Sequence, residues 1–204
     1  DVYGIETSKS GVELSKLKGN VYNAELQNTK FPNKYFDVIT LWHVLEHVSK
    51  PDDLMKEIKR IIKDNGILII AVPNIDSIQA KIGGDKWFHL DVPRHLYHFS
   101  PETLKKLLKK NGFVIEKIKH FSFIYNLIGA LQTFFNMLEI KFNFLHHLIK
   151  RVDRHESYIN VSFIYNFFLT VFFGILFFIP ALILSLLESL FKQGATITVY
   201  SKRI

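Results

Sequence analysis

The chain has 204 residues, a formal net charge of +7, 48% hydrophobic and 22% charged side chains, and no cysteine. This fits one globular domain with a large insertion and excludes disulfides and cysteine metal sites. A basic balance suits anionic lipid or nucleic acid equally; the interleaved aromatic and basic residues of nucleic-acid modules are missing, so nucleic acid is not an expected partner. The averages conceal a split, because 14 of the 19 Phe fall between Phe121 and Phe191 while most charges precede His120.

In chain order, "DVYGIE" alternates as a strand and ends on an acid, Glu6. "TSKSGVELSKLKG" carries Ser/Thr caps and a Gly stop, predicting a short helix. "NVYNAE" predicts a second strand, and "YFDVITLW" a strand buried on both faces. "SKPDDLMKEIKRIIKDNG" predicts a helix with Pro51 early, acids in its first turn, basic residues late, an apolar stripe of Leu54, Ile58, Ile61 and Ile62, and Gly66 as its cap. "ILIIAVPN" predicts a buried strand. "SPETLKKLLKKNG" repeats the helix grammar with Ser100 as cap, and "FVIEKIKH" and "ATITVYSKRI" predict the last two strands. Strands alternating with helices at this spacing imply a parallel-type α/β sheet.

In such sheets a ligand sits beyond the carboxyl ends of the strands, here Glu6, Asn23-Ala24, Leu41-Trp42-His43 and Pro73-Asn74. By position alone Glu6 can accept both hydroxyls of a ribose, or be a surface acid beside a helix start. His43 to His47, "HVLEH", matches the H-x-x-E-H pattern of one metallopeptidase group. Shared metal binding at i, i+4 needs a helix, and this segment straddles a strand end with no third ligand evident in sequence.

The stretches "YFDVITLWHVLEHVSKPDDLMKEIKRIIKDNGILIIAVPN" and "WFHLDVPRHLYHFSPETLKKLLKKNGFVIEKI" resemble class I S-adenosylmethionine-dependent methyltransferases, in the branch that includes the ubiquinone-biosynthesis O-methyltransferases. The resemblance covers residues 1–120 and the final strand. It implies a Rossmann-like α/β fold, S-adenosylmethionine as cofactor, Glu6 on its ribose, Asn23 and Ala24 at its adenine, and Leu41 and Trp42 near its methionine end. The family's Gly-rich loop and the strand before it have no counterpart here. The sequence therefore reads as a domain lacking its first strand, and reduced activity of these 204 residues alone is expected. Some quinone O-methyltransferases are similar here with E-x-x-E-H and a divalent ion; His43 replaces the first acid, and no metal ligand is assigned.

Methyl transfer by such an enzyme rests on in-line positioning and removal of a proton from the acceptor. His43 and His95 are the candidate bases. Trp87, Arg94 and His98 are candidate acceptor contacts, for a ring or apolar part, an acidic group and a polar group respectively.

Residues 121–193 separate the last two strands, and the segment from Phe167 to Leu187 has no charge. If the flanking strands pair, both ends of the insertion lie on one side of any membrane, which excludes a single crossing. A two-span hairpin would need about 20 apolar residues per span, whereas the first segment contains Asn126, Gln132 and Asn136. It would also carry Lys141, Lys150, Arg151 and Arg154 across. The favoured expectation is therefore a helical insertion lying in one leaflet, bent at Pro180. The other two expectations are a spanning hairpin and a soluble cap or dimer interface. Together these readings imply a methyltransferase peripheral to the cytoplasmic face of a membrane, O-methylating an apolar or lipid-linked acceptor; the alternative is a non-catalytic membrane adaptor that kept the fold.

Overall fold

A computed structural model describes residues 1–8, 11–12, 20–150 and 161–204. Two short parallel strands, β1 (Tyr3–Ile5) and β2 (Asn20–Tyr22), form one ladder. Of the segment expected to form a helix between them, only Thr7, Ser8, Gly11 and Val12 are among the described residues. A second sheet has the order β3-β4-β6-β5, with β3 at Phe36–Trp42, β4 at Ile62–Pro73, β5 at Phe113–Lys119 and β6 at Thr196–Arg203. β3 runs parallel to β4, and β6 runs antiparallel between β4 and β5. The aromatic rings of Tyr3, Phe31, Tyr35 and Phe36 tie the starts of β1 and β3 together, Tyr3 lying 5.7 Å from Phe36 between centroids.

The expectation that "YFDVITLW" is buried on both faces is corrected by the structure. β3 is an edge, with Val38 50% and Trp42 53% exposed, because no described strand lies between it and the β1–β2 ladder. That gap is where the resemblance places the family's first strand. Apolar content alone could not distinguish a covered strand from an uncovered one.

Helix α1 (Pro51–Ile61) follows its punctuation, with Pro51 at the start, Asp52 and Asp53 in the first turn and Lys59 and Arg60 in the last. It stops five residues earlier than Gly66 implied. Residues 62–66 instead bulge at the start of β4, where pairing jumps from Phe36–Ile62 to Val38–Ile67. Gly66 is required by close approach: a Cβ there would lie 2.5 Å from Ile62 Cγ1 and 3.1 Å from the Asp37 carbonyl oxygen. Helix α2 (Ile78–Gly83) is short and capped by Ser77. Helix α3 (Pro101–Lys110) begins with a reciprocal cap, Ser100 Oγ accepting from Thr103 N–H while Thr103 Oγ1 accepts from Ser100 N–H. The main core joins Leu54, Met55 and Ile58 of α1 and Leu104 and Leu108 of α3 to Leu68, Ile70, Ile197 and Val199 of the sheet. Each such side chain contributes roughly 1.5–3 kcal/mol on burial.

Between β5 and β6 lie α4 (Phe123–Met137), α5 (Phe144–Lys150) and α6 (Val161–Leu190). Of the basic residues invoked for a connecting loop, Arg151 and Arg154 lie outside the described residues. The polarity of α6 is reversed. Its inward stripe carries Asn166, Thr170, Ala181, Ser185 and Glu188, all buried, beside Phe173 and Phe177. Its outward faces carry Phe168, Phe172, Ile175, Leu176, Ile179 and Leu190, with Ile175 77% exposed. Helix α4 buries polar groups likewise, against the body of the fold. Thr133 Oγ1 accepts from Phe88 N–H, Asn136 donates to the Lys86 carbonyl, and the Asn126 carbonyl accepts from Gln79 Nε2. A soluble helix does the opposite.

Candidate functional site

The site grows from two strand ends and one turn. At the end of β1 and β2, Asn23 Nδ2 donates to the carbonyls of Glu6 and Thr7 at 2.9 and 3.2 Å, which leaves its amide oxygen as an acceptor. Glu6 Oε1 accepts from Ser8 N–H at 2.8 Å. A carboxylate oxygen of Glu6 and the Asn23 amide oxygen thus sit on neighbouring strand ends, a donor-seeking pair that suits a ribose diol and an exocyclic amine. Ala24 adds little side-chain bulk beside them. At the end of β3, Leu41 is half-buried and Trp42 is exposed.

His43 continues the ladder, its N–H donating to the Ala71 carbonyl, but takes φ of 52°. A non-glycine residue in that left-handed region is strained by about 1 kcal/mol or more and marks functional turns. The turn throws the next residues into a single tight turn, Leu45–His47, so His43 and His47 do not share a helix face and the peptidase geometry is not formed. The turn drives Glu46 inside, where it is 1% exposed. Its carboxylate lies 3.2 Å from His43 Nδ1, and neither oxygen receives a hydrogen bond. Its carbonyl accepts from Leu96 and Tyr97 N–H, pinning the histidine-rich segment that follows β4 onto the motif.

That segment brings His95 alongside. His95 Nδ1 faces the His89 carbonyl and His47 Nδ1 the Arg94 carbonyl, each at 2.8 Å. In its neutral form each ring donates from Nδ1 to that carbonyl and keeps its lone pair on Nε2. One donor atom from each of Glu46, His47 and His95 lies within 4.8 Å of the others. Sequence reading paired His43 with His47; the structure instead groups His47 and Glu46 with His95. Two imidazoles oriented by carbonyls beside a buried carboxylate that receives no hydrogen bond suit a divalent cation. Burial lowers the pKa of His95, with the His89 carbonyl opposing, and burial and the neighbouring His43 lower that of His89 to about 3. Both are neutral at pH 7.

The remaining expected residues are more scattered. Arg94 is exposed and pairs with Asp91 at 3.0 Å. His98 Nε2 faces the Leu90 carbonyl at 2.8 Å. Trp87, expected to meet an acceptor, is buried at 1% exposure with its indole N–H unbonded and its ring edge-on to His89. Sequence reading missed Glu46 as the group between His43 and His95, although a lone acid among apolar residues in "HVLEHV" was a usable signal. It also missed Tyr125 on α4, whose ring lies 4.1 Å from that of His43; nothing in the sequence announces a contact across 82 positions.

A four-stranded sheet with a final antiparallel strand between its neighbours, and polar residues gathered at its carboxyl edge, define a Rossmann-like methyltransferase fold. Residues 1–118 match the family model for the methyltransferase domain, and the chain belongs to that family. It is 28% identical over 137 residues to the ubiquinone biosynthesis O-methyltransferase of Pelagibacter ubique, covering 60% of this chain and 56% of that protein. It is 29% identical over 154 residues to the ubiquinone/menaquinone biosynthesis C-methyltransferase of Vibrio campbellii, covering 62% and 57%. The chain thus spans little more than half the length of these curated relatives. The crystal structure of a SAM-dependent methyltransferase from Archaeoglobus fulgidus superposes with a TM-score of 0.56 at 19% identity, covering 98% of this chain and 75% of that one; this likeness concerns the fold.

Proposed function

We propose that this chain is the larger part of an S-adenosylmethionine-dependent methyltransferase that O-methylates an apolar or lipid-linked acceptor at the cytoplasmic face of a membrane, and that residues 121–193 form its membrane-facing insertion beside a catalytic unit of 1–120 and 194–204. One observation carries the acceptor class. The inside-out insertion is joined to the strand-end site, Tyr125 of α4 lying against His43, so an apolar surface begins beside a candidate base.

The bound cofactor would supply the electrophilic methyl group. Glu6 and Asn23 would hold its ribose and adenine, and Ala24, Leu41 and Trp42 would line its remaining length. His43, turned inward by its left-handed backbone, accepts the acceptor's hydroxyl proton; Glu46, 3.2 Å away, stabilises the resulting imidazolium. Arg94, His98 and the Tyr125 ring orient the acceptor. The orphaned carboxylate of Glu46 favours a second route to the same deprotonation. With His47 and His95 it would hold a divalent cation that lowers a hydroxyl pKa, in which case His95 is a ligand and His43 alone is the base.

A lipid surface is favoured over a spanning hairpin by length. α4 has 15 residues, about 22 Å, against a hydrocarbon core of about 30 Å. α6 has 30 residues, and only 11% of its most apolar window is buried. The test is transfer of labelled methyl groups from S-adenosylmethionine into a membrane-lipid extract by the protein together with any segment that naturally adjoins these residues. Label in an organic-extractable ether is the expected product. Wild-type rates in both His43→Ala and His95→Ala would exclude them as bases, and absence of label would overturn the reading.

A further inference from the structure

At the foot of α6, on the carboxyl side of β4, lies an open cavity of about 480 Å³ that none of the chemistry above uses. Its wall combines Lys81 of α2, Lys105 of α3 and Lys192, two residues beyond the end of α6. None of the three ammonium groups is in an ion pair among the described residues. Lys81 makes one long bond, 3.4 Å, to the side chain of Gln193. The same wall carries two carboxylates, Asp76 and Glu102, and Glu102 is approached by Lys106 at 3.8 Å. Immediately above the cavity the chain turns apolar, with Leu187, Leu190 and Phe191 exposed.

Three cations without ion pairs among the described residues, from three separate elements, face one cavity, and an anion held there is attracted by all three. Their position is also restricted, since they stand where the lipid-facing surface of α6 ends. An anion presented there by a membrane lies at headgroup depth. The two carboxylates are acceptors only, so the ligand that fits the whole wall carries a phosphodiester for the lysines and hydroxyl donors for Asp76 and Glu102.

We infer that this cavity binds the headgroup of an anionic glycerophospholipid with a polyol headgroup, fixing the depth and tilt at which α6 lies in the leaflet. This rests on the membrane reading of α6 but adds a discrete site to it. Basic residues near an anionic surface each strengthen attachment about fivefold. Three lysines acting on one headgroup therefore give on the order of a hundredfold.

The test is sedimentation with vesicles of pure phosphatidylcholine and of phosphatidylcholine containing phosphatidylglycerol. It compares the wild-type chain with Lys81→Gln/Lys105→Gln/Lys192→Gln and with a control, Lys30→Gln/Lys34→Gln/Lys63→Gln, which removes the same charge near the amino ends of β3 and β4, away from the cavity. The expected result is a loss on the order of a hundredfold on phosphatidylglycerol vesicles for the first variant. The control should lose less than about threefold, and all three proteins should bind phosphatidylcholine equally. Equal losses in both variants, or none in the first, overturn the site. Displacement from phosphatidylglycerol by millimolar inorganic phosphate at constant ionic strength assigns the cavity to free phosphate and also overturns it. Failure of every protein to bind phosphatidylcholine would instead overturn the membrane reading of α6.

Discussion

Glu188, two residues from the end of α6, accepts two hydrogen bonds from a single residue outside the insertion: the backbone N–H of Gln79 at 2.8 Å and its side-chain Nε2 at 2.7 Å. Both residues are buried. The apolar helix is therefore fastened to the fold by a carboxylate at the start of α2, at a point where a greasy contact would have sufficed for adhesion but not for register.

Burial raises the Glu188 pKa from 4.5 to about 7, against the two Gln79 bonds and one from the Ala195 backbone. The folded protein thus keeps the proton over a range in which the unfolded chain has released it. Stability attributable to this group is greatest below about pH 4.5 and declines as pH rises toward 7. Urea titrations between these limits should show that decline, and Glu188→Gln should flatten it; an unchanged slope in the variant would assign the dependence to other groups. Glu188→Ala should destabilise by about 1–3 kcal/mol, because the Gln79 backbone N–H loses its partner and Gln79 Nε2 keeps only the Asn126 carbonyl.

Glu6→Ala should weaken S-adenosylmethionine binding roughly tenfold in the protein with its naturally adjoining residues, the cost of about 1–2 kcal/mol for ribose hydroxyls left without an acceptor. Calorimetry returning the wild-type affinity would remove Glu6 from the site.

The Glu46, His47 and His95 group should bind Zn²⁺ or Mn²⁺ without any acceptor present. His95→Ala and Glu46→Gln should each reduce that affinity at least tenfold, as should lowering the pH through the imidazole range, since a ligand must shed its proton first. Titration calorimetry that finds no binding, or identical binding in both variants, would leave Glu46 as a partner for the His43 imidazolium alone.

How much of this was legible in the sequence depends on the range of the interaction. Pro51, the Ser100 cap and Leu54, Ile58 and Ile61 of the α1 stripe act within a few residues and stand where the sequence put them, whereas Ile62, expected in the same stripe, opens β4. Gly66 was misread because a glycine needed for contact with Ile62 and Asp37 looks the same in sequence as one that ends a helix. The exposure of Val38 depends on what lies beside β3, which β3 itself does not encode. Within the site, His43 and His95 were visible as histidines. Their connection through Glu46 required the turn at His43 and the bonds from Leu96 and Tyr97 to the Glu46 carbonyl. Trp87 shows the converse, a residue type common in acceptor pockets that here is buried with its ring edge-on to His89.

The insertion begins and ends at one point. A Cβ on Gly194 would overlap the carbonyl oxygen of His120, and Asn126 Nδ2 donates to that same oxygen. Gly194→Ala should therefore destabilise the fold by about 1–3 kcal/mol, since backbone rather than a movable side chain must yield. Denaturation showing less than about 0.5 kcal/mol would mean that the two strands separate easily at this end.

That closeness also makes the insertion removable, which gives the most direct test of what it is for. β5 and β6 are adjacent antiparallel strands, with Lys119 paired to Thr198, so a short Gly-rich turn in place of residues 121–193 can join them. The deletion removes the outward Phe, Leu and Ile side chains of α6, each contributing roughly 1.5–3 kcal/mol when fully withdrawn from water. It leaves Glu6, Asn23 and the main core untouched, but also removes Tyr125 and Glu188. The shortened protein should stay in the soluble fraction and fail to float with liposomes, keep its metal and cofactor affinities within about threefold, and lose turnover on an apolar acceptor. An intact protein that is soluble and monomeric without lipid or detergent would make α6 a surface helix with no membrane role. A shortened protein that still floats would move the attachment to the basic residues of α3 and β5.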